Sequence, residues 1–549
     1  MSLKPTPVGT IPELTSYVAR AAFPDGNPCL RVRDALGTFY DDQRFARLFP
    51  DRGRPAESPW RLALVTVLQF AEGLSDRQAA DAVRSRIDWK YALGLELTDP
   101  GFDFSVLCEF RSRLLAGDAG HLLLEAMLET CKGHGLVKAR TRQRTDSTHV
   151  LAAIRTLNRL ELVGEVLRAT LNGLATVEPE WLRSWAPPEW FDRYSTRIEE
   201  SRLPKGEEAR YAHGETIGGD GFRLLEAVFG GAAPRGVAEV PAVEVLRRVW
   251  LAQFYLEEGR VRWRRAGDLP PAGQRIDSPY DPEATYGNKR STTWTGYKVH
   301  LTETCEDDEV HLITNVETTP AVAADVDQTA AIHAALAAKG LPPGDHLVDA
   351  GYVDGELLVD SRVEHRVRLV GPVRPDVSWQ AKTAGGFDIS RFVIDWEAER
   401  VTCPEGKTSV LWQPGRDRGG NEVVHTEFAR RECLACGSRE RCTRARTEGR
   451  EMTLRTRERH EALQAARVEQ ETAVWKAEYA RRAGIEGTIS EGVRGFGLRR
   501  CRYIGRGKAH LQHVITAAAM NLSRLAAWLG ETPRAKTRTS RFARLALAG

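Results

Sequence analysis

Three acidic residues stand where a carboxylate could do chemistry. Asp146 lies in the run RTRQRTDSTHV, after several basic residues and before Ser147 and Thr148. Asp349 closes the short run His346-Leu347-Val348 and is followed by Ala350, Gly351 and Tyr352. Glu486 lies on a helical stretch after Tyr479 and Arg482. Hard divalent ions such as Mg²⁺ take carboxylate oxygens and keep several waters. Two such ions about 4 Å apart can activate an attacking oxygen and stabilise a leaving one during phosphodiester cleavage. Three carboxylates suffice, because the substrate phosphate supplies further ligands. Taken singly, a strand-end Asp is more often a turn or cap residue, and a helical Glu is more often solvated. With 75 acidic residues in the chain, spacing alone selects none of them.

The cysteines suggest a second kind of site. Cys403 precedes Pro404 and Gly406, Cys433 and Cys436 form a Cys-x2-Cys pair, and Cys442 follows closely. Four soft thiolates in one segment suit tetrahedral Zn²⁺. A hairpin of strands at 400–412 and 422–429 would bring Cys403 to the pair. His425 falls outside that spacing, so the expected ligand set is four Cys, with no position left open for catalysis. The alternative is four ordinary thiols. Cys29, Cys108, Cys131, Cys305 and Cys501 read as isolated buried or neutral thiols.

A third feature is basic. Arg494, Arg499, Arg500, Arg502, Arg506 and Lys508 cluster around Tyr503, with Glu491 as the nearby acid. Glycines at 492, 495, 497, 505 and 507 argue against one continuous helix. They suggest a loop whose amides and Arg forks could hold phosphates. The alternative is a solvated basic loop. Its position directly after Glu486 favours DNA, and binding that neutralises several phosphates is salt-sensitive.

The elements that would position these groups can be read from periodicity. Trp60 to Phe70 is a strongly apolar helix, Ser75 is an N-cap for the next, and Phe104 to Leu115 is a third, with Arg111 and Arg113 exposed. Helix-turn-helix-like spacing of this kind is weak evidence for DNA binding, since most short helix pairs are simply packed bundles. Residues 1–30, with Pro5, Pro7, Pro12, Pro24 and Pro28, read as a loosely ordered lead-in. Arg140 to Val150 reads as a strand, and Ile154 to Leu269 as helical throughout. Thr295–Thr302 and Glu309–Val316 read as paired strands, Asp325–Lys339 as an amphipathic helix, and Asp345–Asp349 as a short strand ending in an acid. Gly355–Ser361 is a helix and Val367–Val370 a strand. That order implies an α/β domain with a mixed sheet. Arg455–Tyr479 reads as one long charged helix continuing through Glu486, and His510–Leu529 as the last helix.

The chain has 549 residues, enough for several domains. Its net charge is only +3, so bulk charge argues weakly for nucleic acid. Arg far outnumbers Lys, which a GC-rich genome explains and which also suits phosphate recognition. The start has no charged head followed by an apolar run, and no stretch of about 18 apolar residues occurs, so neither a signal peptide nor a membrane span is expected. Nine Cys fit a reducing cytosol better than a disulfide scaffold.

Together, RTDSTHV, TGYKVHL, HLVDAGY and the Tyr479–Arg482–Glu486 spacing resemble the bacterial insertion-sequence transposases of the DDE superfamily. In that family the Glu sits in a Tyr-x2-Arg-x3-Glu-x6-Lys signature. Here the first spacings hold, but Val493 stands where the Lys is expected and Arg494 comes one residue later. Residues 34–115, including Phe110-Arg111-Ser112-Arg113-Leu114, resemble the family's N-terminal domain. The resemblance implies an α/β, RNase H-like mixed-sheet core with a helical N-terminal domain, to which the periodicity adds a helical insertion and the cysteine spacing a small zinc-ribbon-like segment. Together these readings give a lead-in at 1–33, a helical DNA-binding domain at 34–138 and the core at 139–152 and 276–378. A helical insertion falls at 153–275, a Cys-rich segment at 379–446, the core continuation with the Glu helix and basic loop at 447–530, and a basic tail at 531–549. Asp146, Asp349 and Glu486 would hold catalytic Mg²⁺ or Mn²⁺, and Cys403, Cys433, Cys436 and Cys442 a structural Zn²⁺. Tyr479, Arg482, Arg494, Arg499, Arg500, Arg502, Arg506 and Lys508 would contact DNA. The implied activity is cutting at transposon ends and joining the 3′-hydroxyl to target duplex DNA, by a homodimer in the bacterial cytoplasm at the nucleoid. Two other readings stay open: a catalytically idle DNA-binding regulator, and a plain RNase H-like nuclease.

Overall fold

The computed structural model describes residues 2–198, 203–289 and 291–533; most of the basic tail lies outside the described residues. A mixed sheet carries the region of interest. Its strands are β1 (Gln143–Leu151), β2 (Thr285–Lys289), β3 (Thr292–Thr304), β4 (Ile313–Pro320), β5 (Asp345–Leu347) and β6 (Arg368–Val370). The order across the sheet is β2-β3-β1-β5-β6, with β4 also on β3. β3 runs antiparallel to β1, β2 and β4, whereas β5 is parallel to β1 and β6 is parallel to β5. The strand predicted at Glu309–Val316 starts later, at Ile313, because the turn after β3 takes residues 307–309 and residues 310–312 lie outside the regular pairing.

Helices α1 (Glu13–Ala22) and α2 (Pro28–Leu36) form where a loose lead-in was expected. Pro12 and Pro28 stand at their N-terminal ends, where a missing N–H costs nothing and the fixed φ favours entry. These prolines start helices rather than prevent them. They are followed by α3 (Pro59–Ala71), α4 (Asp76–Ser85), α5 (Ile87–Leu93), α6 (Ser105–Ala116) and α7 (Leu122–Gly133). Ser75 caps α4 in a reciprocal box with Gln78. Arg111 is buried rather than exposed, since Asp76 accepts from its Nη2 at 2.6 Å. Arg113 lies over the Phe49 ring and donates to the Leu48 carbonyl.

Residues 159–198 and 203–276 close over a core of their own. Leu160, Val163, Leu167, Leu224, Leu246 and Trp250 pack together from α8 (Arg159–Val177), α9 (Glu207–Phe229) and α10 (Pro241–Gln253). The segment is not helical throughout: Phe254–Glu257 and Arg260–Trp263 form a hairpin. Glu258 and Gly259 both take positive φ there, which gives the two-residue turn whose twist matches the strands. The short apolar run around Phe254 fits either period, and the turn decides it.

The Cys-bearing segment builds a three-stranded antiparallel sheet from β7 (Ser409–Arg416), β8 (Glu422–Phe428) and β9 (Glu451–Arg455). Arg400–Thr402 pairs with Val393–Asp395 instead of continuing into β7, so the expected hairpin is shorter. Cys403 marks the break, with its N–H bonded to the Lys407 carbonyl.

Against the main sheet lie α11 (Thr329–Ala338) and α12 (Gly355–His365). The long charged helix predicted from Arg455 is in fact several pieces: α13 (Arg457–Glu469), α14 (Ala473–Tyr479), a 3₁₀ turn (Ala480–Ala483) and α15 (Gly484–Gly495). The first break follows from Thr472, whose hydroxyl caps the N–H of Trp475. The last helix, α16 (Arg506–Leu529), is buried on nearly every side. Its Leu511, Val514, Ile515 and Met520 join Trp60 and Phe70 of α3 and Leu301 and Ile313 of the sheet in one hydrophobic core. Asn521 sits in that core and satisfies both backbone groups of Ile313, at 2.8 and 2.9 Å. The helical N-terminal region and the sheet therefore share an interior, joined through α16.

Candidate active site

Strand geometry brings the first two acids level. β1 pairs with β5 in parallel, with Arg144 opposite Leu347. Two residues further along each chain lie Asp146 and Asp349. Side chains two apart on a strand share a face, so Arg144, Asp146 and Thr148 point the same way. Asp349 lies just past the end of β5, where its Oδ1 accepts the Gly351 N–H at 2.8 Å. Gly351 leaves space beside the carboxylates and does not need a left-handed backbone. A Cβ there would stand 2.9 Å from Asp349 Oδ1 and 3.4 Å from Asp325 Oδ2.

Glu486 arrives from α15, which crosses β1 at its N-terminal end. The close approach depends on Gly484: a Cβ there would stand 2.0 Å from Arg144 Nη1. The three predicted acids converge on one guanidinium. Arg482 Nη2 donates to Asp146 Oδ2 at 2.8 Å and lies 4.0 Å from Asp349 Oδ2, while its Nη1 lies 3.6 Å from Glu486 Oε1. Arg482 and Asp146 are both 13% exposed, Asp349 is 31% and Glu486 70%. Arg482 and Glu486 are one helical turn apart, which is why their spacing in the sequence places both side chains on the same acid pair.

Burial pushes the Asp146 carboxyl above its ordinary range. Arg482 and the Ser147 N–H pull it down, Asp349 pushes it up and Lys289 pulls it down again. Tyr479 stacks on Trp475 with ring centroids 4.7 Å apart. Its hydroxyl is raised by burial, lowered by Arg482 and raised by the three acids, so it faces the same charges. Among the described residues no group of three or more His, Cys, Asp or Glu is arranged to hold a metal ion as it stands. Arg482 already occupies the centre of the acids. The donor set is nonetheless all oxygen, and a guanidinium at its centre shows that the position favours positive charge. Asp146, Asp349 and Glu486 thus fit a hard divalent ion in kind.

A fourth carboxylate beside the site was not foreseen. Asp325 Oδ1 pairs with Lys298 Nζ at 3.0 Å and accepts from Ser147 Oγ at 3.3 Å. The sequence placed Asp325 at a helix start, where an acid has an ordinary capping role, and Lys298 on a strand. Only the β1–β3 pairing, with Ser147 opposite His300, brings them beside Asp146.

The basic run divides into two groups. Arg499 donates to Thr148 Oγ1 at 2.8 Å, and Leu151 of β1 exchanges backbone hydrogen bonds with Arg499 and Cys501. The loop is thereby tied to the end of the strand that carries Asp146. Arg502 lies over the Phe70 ring of α3, and Arg506 pairs with Glu283 at 3.5 Å. Arg494, Arg500 and Lys508 are exposed, as are Arg502 and Arg506 despite their contacts. Arg494 is on α15, since that helix runs through Gly492 to Gly495, and the loop spans only 496–505.

Cys403, Cys433, Cys436 and Cys442 line one small cavity of about 30 Å³, with Phe387, Phe392 and Phe428 around it. The Lys407 N–H points at Cys403 Sγ at 3.4 Å. The Cys442 thiol is pushed up by burial, pulled down by Arg450 and pushed up by the other three cysteines. Burial also pushes the Cys29, Cys131, Cys305 and Cys501 thiols to about 12, whereas Cys108 is exposed rather than buried.

Two family models match the chain: a Transposase DDE domain over residues 402–526 and a Transposase domain (DUF772) over residues 18–113. Together they support an insertion-sequence DDE transposase, and a DDE domain implies dependence on a divalent metal. The first matched segment contains the four clustered cysteines, Glu486 and the basic loop, while Asp146 and Asp349 lie outside it. No curated protein and no solved structure matches.

Gly484→Ala tests the site's geometry. The added methyl forces Arg144 away from its partners, and overpacking of this kind costs about 1–3 kcal/mol. A lowered melting temperature is expected, together with a larger loss of metal-dependent DNA cleavage than the stability change explains. Unchanged cleavage in the variant would show that α15 need not approach β1 so closely.

Proposed function

We propose that the chain is a transposase that cuts DNA at the ends of an insertion sequence and joins the freed 3′-hydroxyl to target DNA. The observation that carries the reading is the convergence of Asp146, Asp349 and Glu486 on one cationic position, beside a basic loop tied to the strand of Asp146. Residues 139–152, 276–378 and 447–530 form an RNase H-like core in this reading. Residues 34–138 bind DNA, 153–275 are an insertion, 379–446 are a zinc-ribbon-like segment and 531–549 a basic tail. Two Mg²⁺ or Mn²⁺ ions held by the three acids would activate the attacking oxygen and stabilise the leaving one.

The chain's own residues have distinct tasks. Asp146 and Asp349 must give up Arg482 for their oxygens to become ligands. The Arg482 guanidinium would then be available to a DNA phosphate, for which its planar fork is suited. Its buried Nε has no partner among the described residues, so the residue is not fully committed where it stands. Tyr479, stacked on Trp475, lies among the same charges as the acids. Arg494, Arg500 and Lys508 face solvent and would meet the duplex backbone, where contacts position DNA without reading sequence. Arg499, Arg502 and Arg506 hold the loop in place and add to its positive field. A homodimer would align two element ends. Among the described residues no helix is long and apolar enough to cross a membrane; we place the protein at the nucleoid, in the bacterial cytoplasm.

The deciding experiment supplies a pre-cut duplex with a free 3′-hydroxyl, a plasmid target and Mg²⁺. Joining of the labelled strand to the plasmid is expected. Degradation without joining would identify a plain nuclease, and binding without either reaction an idle regulator.

The four clustered cysteines are proposed to hold a structural Zn²⁺, and metal binding of this type contributes directly to folding. Protein purified without chelator is expected to carry stoichiometric zinc by elemental analysis. Cys436→Ser should lose the metal and melt at lower temperature. Metal-free wild type whose melting is unaffected by chelator would contradict this assignment.

A further inference from the structure

Glu303 on β3 is an acid that no strand or helix signal marks. It is fully buried, opposite Arg144 of β1 and at the register shift in the β3–β4 pairing. Its Oε1 accepts from Arg144 Nε at 2.7 Å. Its Oε2 accepts from Thr488 Oγ1 at 2.6 Å and from Arg524 Nη1 at 2.8 Å. Burial alone would push this carboxyl up, but Arg524, Arg144 and Thr488 hold it below the ordinary range. A buried charge is tolerated only when paired and hydrogen-bonded, and here both oxygens are taken.

The partners matter because of where they sit. Arg144 precedes Asp146 by two residues on the same face of β1. Its Nη1 also donates to the Arg481 carbonyl at 2.6 Å, next to Arg482. Thr488 follows Glu486 by two residues on α15. Arg524 ties the same carboxylate to α16 and continues to Glu491 at 2.6 Å, farther along α15. The remaining acid, Asp349, is set by the direct pairing of β5 with β1.

We infer that Glu303 is a positioning residue for the acid site. Its buried carboxylate clamps β1, the Arg482 turn and α15 together, and so fixes the separation of Asp146 from Glu486. Glu303 cannot reach a metal ion or DNA itself, because its oxygens are enclosed and occupied. The inference rests on the proposal that those acids hold the catalytic ions. An ion network that served only stability would change melting and leave metal affinity alone, which gives the role a distinguishing readout.

The test uses full-length Glu303→Gln, which keeps the shape and removes the charge. Three quantities are compared with wild type: Mn²⁺ affinity from the electron paramagnetic resonance signal of free Mn²⁺, affinity for element-end duplex, and single-turnover cleavage. Measurements are made where circular dichroism shows each variant folded. Mn²⁺ affinity is expected to fall about 10–100-fold, as when an outer partner of a metal ligand is lost. Cleavage should fall about 100-fold, the usual cost of a misplacement near 1 Å, with DNA affinity unchanged. Folded Glu303→Gln with wild-type Mn²⁺ affinity and cleavage would overturn the inference. Should that variant not fold, Thr488→Val removes one strut of the same clamp and must weaken Mn²⁺ binding; wild-type affinity there also overturns it. Wild type whose Mn²⁺ binding depends on Asp146 but which never cuts would refute the transposase reading, while the affinity comparison would still decide the role of Glu303.

Discussion

Carboxylates crowded at the end of one sheet repel each other unless a cation stands between them, and Arg482 is that cation here. Its guanidinium is within 4.0 Å of all three acids. Like charges at such range disfavour joint ionisation, whereas an opposite charge between them restores it. Much of the local architecture follows from this need. The 3₁₀ turn at Ala480–Ala483 delivers Arg482 to Asp146, and one helical turn later α15 delivers Glu486. Gly484 lets that helix lie against Arg144, and Gly351 leaves room for the Asp349 carboxylate. Three carboxylates around one cationic position form an all-oxygen donor set, which suits the divalent-metal dependence that a DDE domain implies.

The second constraint is the burial of α16. A helix enclosed on nearly all sides cannot belong to a single layer, and this one packs against α3 and α7 on one side and β4 on another. Its Arg524 reaches the clamp under the acids, while the loop that precedes it carries Arg502 to α3 and Arg499 to β1. The helical N-terminal region therefore does not hang from the sheet by a linker.

Most strands of the sheet were legible in the sequence because their signals are local, whereas the three acids were singled out by a family resemblance and not by spacing alone. Alternation marked β3, a short apolar run ending in an acid marked β5, and a known spacing marked Tyr479, Arg482 and Glu486. What was missed depends on pairing between distant segments. Glu303 looks like any polar residue near a strand end, and only the β1–β3 register sets it against Arg144. Asp325 and Lys298 join the site for the same reason. The hairpin at 254–263 was hidden because its strands are short enough to fit a helical period, and the turn at Glu258 and Gly259 outweighs that pattern. The proline-rich start was misread because Pro at a helix entrance and Pro in a loop look alike in composition. Arg111 was misread as exposed because its partner, Asp76, belongs to another helix.

The most direct measurement is cleavage of labelled element-end DNA with Mg²⁺ or Mn²⁺ by wild type and by Asp146→Ala, Asp349→Ala and Glu486→Ala, with DNA binding followed in the same samples. Wild type is expected to cut, and each variant to bind the DNA without cutting it. A variant that cuts as well as wild type would remove that acid from the site and contradict the shared cation position on which the account is built.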